Sequence, residues 1–481
     1  MMVGRGLLRT THRGVTGGGM RAVTSRGISG GGPVPGVAAT ALREHIEKSG
    51  ADNAFFHVNL SEIVRQYARW TTELPRVTPH YAVKCNNDSR ILATLADLGC
   101  NFDCASAGEI DSLLSIGVGP ERIVYANPCK APSQLDYAQA HDVKFTVFDS
   151  EDELYKIKKR MPDAKLLLRI RPDDSRSVCK FGMKFGADVE TELEPLLATA
   201  RELGLNVEGV SFHVGSGCYA AEAFGDAVAL GKEAFGMAAD LGWDFSMLDI
   251  GGGFPGAQPV DDPSLNGVAP SAAVTQLQDE DYNSDDFIRQ GGAPSFEAIA
   301  AVTRVALDEH FPEGCGVELI AEPGRYFVNT SHTLATCVIG QKTDTYSETA
   351  AGSKQYYIDD GIYGSFNCLM YDHAEVTPHV LKKADGSGGS PEICSVWGPT
   401  CDGLDCVKRD ALLPPLQAGD WLWWENMGAY TAAAASSFNG FAPPPALYFY
   451  DGVLVNEVSD GERNRLELAK VLEIEEEKIW A

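Results

Sequence analysis

The stretch Tyr81-Ala82-Val83-Lys84 is a short β-rich run, three mostly apolar residues closed by a lysine. Seven runs of similar texture follow it: Cys100–Cys104, Arg122–Ala126, Lys144–Asp149, Lys165–Arg171, Glu208–Val214, Ser246–Ile250 and Glu318–Glu322. The segments between them mostly carry helical periodicity, as in Ala107–Ile116, Glu151–Arg160 and Glu190–Leu203. Eight strand–helix units over about 250 residues is the pattern of a (β/α)₈ TIM-like barrel. An open doubly wound sheet shares the alternation, but a count of eight favours closure.

After Val328 the texture changes. Thr333–Val338, Gln355–Ile358, Ile393–Trp397, Trp421–Glu425 and Ala446–Tyr450 follow with turns between them and few helical signals, which predicts a C-terminal β domain. Residues near Ala54–Leu60 could add a strand to it from the N-terminal side. The expected division is a tail over 1–45, a barrel over 46–330, a β domain over 331–450 and an acidic tail over 451–481. Residues 257–292 are rich in Pro, Gly, Ser, Asp and Gln and read as a surface insertion in the barrel. Leu466–Trp480 sets Leu, Val and Ile among acids, as a short amphipathic helix would.

A chain of 481 residues with 44% hydrophobic composition can bury a large core in two domains. Its formal charge of −27 and pI near 4.7 argue against nucleic acid as a partner, because there is no basic stripe to meet phosphates. No apolar run reaches the length of a membrane span. Twelve cysteines lie without paired metal spacing or a disulfide rhythm, so they read as reduced thiols and no metal is expected. Through Arg43 there is no acid at all, and Arg5, Arg9 and Arg13 stand four apart. That matches an organelle transit peptide, with a plastid or mitochondrial destination, or a glycine-rich tail on a cytoplasmic protein.

Barrels of this kind carry their chemistry at the carboxyl ends of the strands, so the residues that close the eight runs matter most. The first ends in Lys84, the second reaches Asp103, the fifth carries Arg169, and the sixth carries His213 before Gly215-Ser216-Gly217. The seventh ends in Gly251-Gly252-Gly253 and the eighth in Glu322-Pro323-Gly324-Arg325. Each alone has a plainer reading: a surface lysine, a hydrogen-bonded core histidine, a loop of glycines, an ion pair. Together they supply an amine for a Schiff base, an anion cradle with an arginine, and a separate carboxylate, which are the parts pyridoxal phosphate requires.

Longer motifs make the reading specific. Tyr81–Asn86 (YAVKCN), Phe102–Ser106 (FDCAS), Tyr125–Lys130 (YANPCK), Phe212–Cys218 (FHVGSGC), Asp249–Gly256 (DIGGGFPG) and Ala321–Tyr326 (AEPGRY) resemble the eukaryotic ornithine decarboxylase family. Beyond the barrel, Asp360–Cys368 (DGIYGSFNC), Tyr371-Asp372-His373, Trp397–Asp405 (WGPTCDGLD), Glu425–Thr431 (ENMGAYT) and Ser437–Phe441 (SFNGF) continue the match. The resemblance implies an alanine-racemase-like barrel plus β domain, agreeing with the reading of the runs.

It also implies roles. Lys84 would form the Schiff base, His213 would stack on the pyridine ring, and Glu322 would pair with the ring nitrogen. Ser216, the Gly251–Gly253 turn, Gly324, Arg325 and Tyr430 would hold the phosphate, with Asp103 positioning lysine and ring and Arg169 supporting them. Cys401 would protonate the α-carbon, reaching the site with Asp402 from the other subunit of a homodimer. Tyr371, Asp372, Asp402 and Phe438 would receive the substrate, the two aspartates meeting the distal ammonium of L-ornithine before release of putrescine. Diaminopimelate decarboxylases share the barrel motifs but recognise a distal carboxylate, against which that pair argues. Lysine and arginine differ mainly in side-chain length, and an aspartate at 372 supports the shorter ornithine. A non-catalytic antizyme-inhibitor-like regulator would have lost cofactor residues that this chain keeps. Gln134-Leu135-Asp136-Tyr137 places an acid where antizyme recognition in animal enzymes uses positive charge, so conventional antizyme binding is not expected.

Overall fold

The structure is a computed structural model that describes residues 35–256, 294–345, 352–384, 389–450 and 453–455. The expectations for residues 1–34, for the 257–292 insertion and for the helix at Leu466–Trp480 lie outside the described residues.

The first described element corrects one boundary. Residues 35–45, read as part of a tail, belong to helix α1 (Pro35–Ser49). Its residues Ala39, Leu42 and Ile46 recur at helical spacing and are buried against Phe55, Ala335, Cys337, Leu381, Trp421 and Trp423. Proline opens the helix, where its missing N–H is not needed. Arg43 Nε donates to Leu381 O at 2.7 Å. Strand β1 (Phe55–Asn59) and helix α2 (Leu60–Glu73) follow, the side chain of Asn59 accepting from Ser61 N as the helix cap.

The chain then builds the barrel from β2 (Val77–Ala82), β3 (Asn101–Cys104), β4 (Ile123–Tyr125), β5 (Phe145–Phe148) and β6 (Lys165–Arg169). A short strand β7 (Ser177–Cys179) intervenes before β8 (Asn206–Ser211) and pairs antiparallel with β9 (Ser216–Cys218). Strands β10 (Met247–Asp249) and β11 (Glu318–Ala321) complete it. The eight barrel strands are parallel, lie side by side in sequence order, and close where β11 pairs with β2. All eight runs read from the sequence are therefore barrel strands, and the open-sheet alternative is excluded. The β7–β9 ribbon carried no readable signal, because each strand has three residues.

The β domain holds β12 (His332–Thr343), β13 (Lys354–Ile358), β14 (His379–Lys382), β15 (Glu392–Trp397), β16 (Cys406–Leu413), β17 (Trp421–Trp424), β18 (Ala446–Tyr450) and β19 (Val453–Leu454). Together with β1 they form one nine-stranded sheet. β1 runs antiparallel to β12 and parallel to β18, so the β domain draws a strand from before the barrel. The barrel boundary at residue 46 is corrected accordingly: α1 and β1 lie on the β-domain side of the chain's architecture. Trp70, fully buried, stacks with Phe296 and meets Phe254 and Tyr326 edge-on. All twelve cysteines are free.

Leu42 is 1% exposed, and burying such a side chain contributes about 2–4 kcal/mol. Leu42→Asp should release α1 from the sheet, so hydrogen exchange should lose protection over 35–49 while the barrel strands stay protected. Unchanged protection there would show that the helix is not held by this face.

Candidate active site

Lys84 sits two residues past the end of β2, inside a single 3₁₀ turn (Val83–Cys85) rather than in the strand itself. Its ammonium lies 2.5 Å from Asp103 Oδ2 on the neighbouring strand β3. Burial alone would lower the pKa of this lysine, but the charges of Asp103 and Glu322 and the Tyr430 phenol outweigh it and hold the ammonium well above the usual range. Asp103 Oδ1 is buried without a hydrogen-bond partner, so the same carboxylate has capacity left for a second donor.

Carboxyl groups crowd this rim. Glu322, just past β11, and Asp249, at the end of β10, are both buried. Burial pushes Asp249 up to about 7, and pushes Glu322 far above the carboxylate range, with Asp249 and Asp103 adding to the effect. Asp249 also accepts from Gly251 N at 2.8 Å, which fixes the glycine turn that follows. His213 is held neutral, its pKa driven well down by burial and then by the charges of Arg169 and Lys84. Gly215 N donates to His213 Nδ1 at 3.0 Å, so the ring's proton resides on Nε2. Phe181 meets the same ring edge-on at 4.9 Å. Arg169 lies over the Phe185 ring, 5.1 Å from its centre.

The glycine turn has a steric reason. Gly253 has φ +107, and a Cβ there would lie 2.5 Å from Gly215 O. At Gly251, with φ +63, it would lie 1.9 Å from Phe212 O. Only glycine therefore brings the backbone N–H groups after β10 up to the Gly215–Gly217 loop. Arg325 closes the same corner. Its Nη2 lies 3.3 Å from Ser216 Oγ, and its Cζ stands 5.1 Å from the centre of the Tyr430 ring. That guanidinium is buried and currently paired with Asp372, whose two oxygens are each 2.6 Å from Nη2.

The cofactor residues expected from the sequence therefore come together, whereas the substrate residues divide. Lys84, Asp103, Arg169, His213, Ser216, Gly251–Gly253, Glu322, Gly324, Arg325 and Tyr430 converge on the rim. Asp372 reaches it too, paired with Arg325 where the resemblance implied a substrate ammonium. Tyr371 is largely exposed. The contacts of Cys401 and Asp402 stay within the β domain. Cys401 N donates to Asn439 Oδ1 at 2.9 Å, and Asp402 accepts from the Tyr363 hydroxyl, whose ring stacks on Phe438 at 4.3 Å.

Glu109 was missed. It is half-buried, its carboxyl is raised by that burial, and Asp103 and Lys84 are among the charges acting on it. It accepts from Ala105 N at 2.5 Å, while Ser106 Oγ accepts from Glu109 N. The Ser-x-x-Glu spacing of a capping box at 106–109 was the readable signal.

Comparison with known proteins decides the family. Residues 60–329 match the model for the pyridoxal-dependent decarboxylase, pyridoxal binding domain. The chain belongs to the pyridoxal-dependent decarboxylase family. Ornithine decarboxylase of Rattus norvegicus is 44% identical over 84% of this chain and 82% of its own length. Antizyme inhibitor 2 of Xenopus laevis is also 44% identical, over 82% of this chain and 81% of its own. The crystal structure of the Paramecium bursaria Chlorella virus arginine decarboxylase bound to agmatine superimposes with a TM-score of 0.74 at 33% identity, covering 85% of this chain and all of that one. The family's cofactor, pyridoxal phosphate, fits the residues at this rim. The raised, buried Glu322 wants a cationic partner such as a protonated ring nitrogen, the spare Asp103 oxygen wants a donor, and the glycine turn with Ser216 and Arg325 suits a phosphate.

These buried carboxyls set a pH dependence for the decarboxylase without cofactor. A carboxyl raised in the folded state costs nothing below its unfolded pKa near 4. Above that the unfolded chain ionises first, so stability falls as pH rises, until the folded group ionises too, near 7 for Asp249. Melting of the cofactor-free protein from pH 5 to 8 should therefore drop with pH, and Glu322→Gln should flatten that drop. Parallel curves for the two proteins would refute the assignment.

Proposed function

We propose that this chain is a decarboxylase of L-ornithine, releasing putrescine and CO₂ as the first step of polyamine synthesis. The observation that carries the reading is Lys84 Nζ at 2.5 Å from Asp103 Oδ2, with Glu322 near enough to act on the same ammonium, in a chain of this family. Bound pyridoxal phosphate supplies an electron sink for the carbon that loses CO₂. Lys84 would anchor it through its amine and displace the product. Glu322 would keep a proton at the ring nitrogen, and neutral His213 would cover the ring. Ser216, Gly251–Gly253, Arg325 and Tyr430 would hold the phosphate. Asp372 would then exchange its partner Arg325 for the distal ammonium of the substrate, together with Asp402.

We further propose a homodimer in which Cys401, Asp402 and Phe438 complete the partner's site, Cys401 returning a proton to the α-carbon. Exposure of Met370, Tyr371, Leu404, Phe438 and Phe441 on the β domain supports such a covered face. The non-catalytic regulator reading is weakened by retention of Lys84, Asp103, Glu322, Arg325 and Cys401. Asp136 is engaged with Arg160 at 3.0 Å, which adds nothing to an antizyme-binding surface.

Two measurements test this. CO₂ release from ornithine, lysine, arginine and meso-diaminopimelate in parallel should favour ornithine in kcat/KM by roughly tenfold or more, a side-chain-length discrimination of one methylene or larger. Equal rates with lysine would reduce the assignment to a broader basic-amino-acid decarboxylase. Mixing inactive Lys84→Ala and Cys401→Ala chains should restore about a quarter of wild-type activity, since half the dimers are mixed and each has one intact site. No recovery after subunit exchange would place Cys401 and Lys84 in the same chain's site, or deny Cys401 its role.

A further inference from the structure

The turn that carries Lys84 has only three residues, too few for a helix to hold it by its own hydrogen bonds. What holds it is the residue after the turn. Asn86 is 3% exposed, and its Nδ2 donates to Gly428 O at 2.9 Å. Its Oδ1 accepts from Asp88 N at 3.1 Å, and its backbone O accepts from the Tyr81 hydroxyl at 2.9 Å. Every hydrogen-bonding atom named on Asn86 therefore joins a different neighbour: Tyr81 in the barrel strand, Asp88 at the next helix cap, and Gly428 in the β domain.

The β-domain end of this link is the loop that presents Tyr430. Tyr430 N donates to Cys85 O at 2.9 Å, so the two segments are tied twice, side chain to backbone at 86–428 and backbone to backbone at 85–430. Tyr430 adopts φ +54, a left-handed conformation that costs a non-glycine residue energy and persists only where its surroundings enforce it. Gly428 cannot retreat from the contact, because a Cβ there would lie 1.7 Å from Val328 O and 2.9 Å from His332 Nδ1. The second Asn86 proton points to His332 Nε2 at 3.3 Å. Burial lowers the pKa of His332 to about 4, and its Nδ1 lies 2.8 Å from Ser331 Oγ, which donates to Val328 O at 2.7 Å. Val328 ends the short helix that starts with Arg325.

We propose that Asn86 is a positioning residue for the decarboxylation, setting the spacing between the Lys84 amine and the Tyr430–Arg325 corner that takes the cofactor's phosphate. This rests on the family's cofactor occupying the rim, yet it is separable from the choice of substrate. The aldehyde and the phosphate arm of pyridoxal phosphate sit on neighbouring ring carbons, so their separation varies little, and Tyr430, which the β domain adds to the barrel's Ser216–Arg325 corner, needs a tie that fixes its distance from the lysine turn. Asn86 bridges the two without touching the rim itself.

The test is cofactor titration followed by visible absorbance for the wild type, Asn86→Ala and Asn86→Asp, with Tyr448→Phe as comparison. Tyr448 bolts the same two domains together through its hydroxyl on Asp88 and its ring under Arg90, but does not engage the Lys84 turn. Asn86→Ala and Asn86→Asp should weaken pyridoxal phosphate by roughly tenfold or more. They should also lower kcat at saturating cofactor while the substrate KM stays within about twofold. Tyr448→Phe should lower the melting temperature and leave cofactor affinity within about twofold. Should Asn86→Asp fail to fold, Asn86→Ser, which keeps an acceptor for Asp88 N, is read in its place. Wild-type cofactor affinity in the Asn86 variants would overturn the proposal. So would an equal loss in Tyr448→Phe, since the seam as a whole would then be responsible. If the preferred substrate is not ornithine but cofactor affinity still responds as described, the substrate reading fails and this one stands.

Discussion

Buried charge has to be balanced, and at the rim of this barrel four carboxyls, Asp103, Glu109, Asp249 and Glu322, surround one ammonium. In water these groups would ionise independently. In a low-dielectric mouth each ionised carboxyl penalises the next, and Lys84 can compensate only one of them at contact distance. Asp103 takes that position, so Asp249 and Glu322, raised first by burial, are driven further toward their protonated forms by its charge. The strand order enforces the crowding: β10, β11, β2 and β3 are adjacent, and each ends in one of these residues or just short of it. Glu322 is thereby a carboxyl whose ionisation awaits a cation, which is the property a ring-nitrogen partner needs.

The barrel was legible because each parallel strand is buried on both sides and reads as a compact apolar run, and because polar or glycine residues interrupt it only at the carboxyl end. Position within the turn was not legible. Lys84 looks like the last residue of a strand, and only the geometry of Val83–Cys85 shows it displaced into a 3₁₀ turn. Glu109 was hidden for another reason: on a helix following a strand, an acid reads as a cap, and here it is both a cap and a member of the buried cluster. Helix α1 was obscured by composition, since the glycine- and arginine-rich segment before it masks an apolar stripe of only three residues. Asn86 closes the YAVKCN motif but its role was not legible, as one amide in a turn is indistinguishable from a solvent-facing one until Gly428 arrives from 342 residues away.

That long reach follows from the order of elements. The chain lays down β1 before the barrel and returns to it with β12 and β18 afterwards, so the sheet grips both ends of the barrel-forming segment. The β17–β18 connection must then pass the carboxyl rim, because the β18 side chain Tyr448 is joined to Asp88 beside the β2 turn. Gly428 and Tyr430 lie on that passage. The second domain is therefore not an appendage placed near a finished site. Its closure over the barrel is what brings a tyrosine and a backbone carbonyl to a lysine that would otherwise sit on an unsupported turn.

The same constraint explains why the site divides as it does. Arg325 is too deeply buried to be left bare, and the chain satisfies it internally with Asp372, a bidentate-like contact from two oxygens to one nitrogen. Both partners are nearly shielded from water, so each stabilises the other's charge in the protein as it stands. Cys401 and Asp402 face the opposite situation. They sit in an exposed turn where Asp402 meets only a tyrosine hydroxyl and the Leu404 backbone N–H, donors that satisfy its oxygens without neutralising its charge. Beside them the stacked Tyr363 and Phe438 keep apolar surface in water. A buried arginine is stable alone with its aspartate; an exposed aspartate ringed by aromatics gains only when another surface covers it. The buried charges at the rim of the barrel are therefore paired within one chain, whereas the Cys401 turn leaves apolar surface that a neighbour's cover would stabilise.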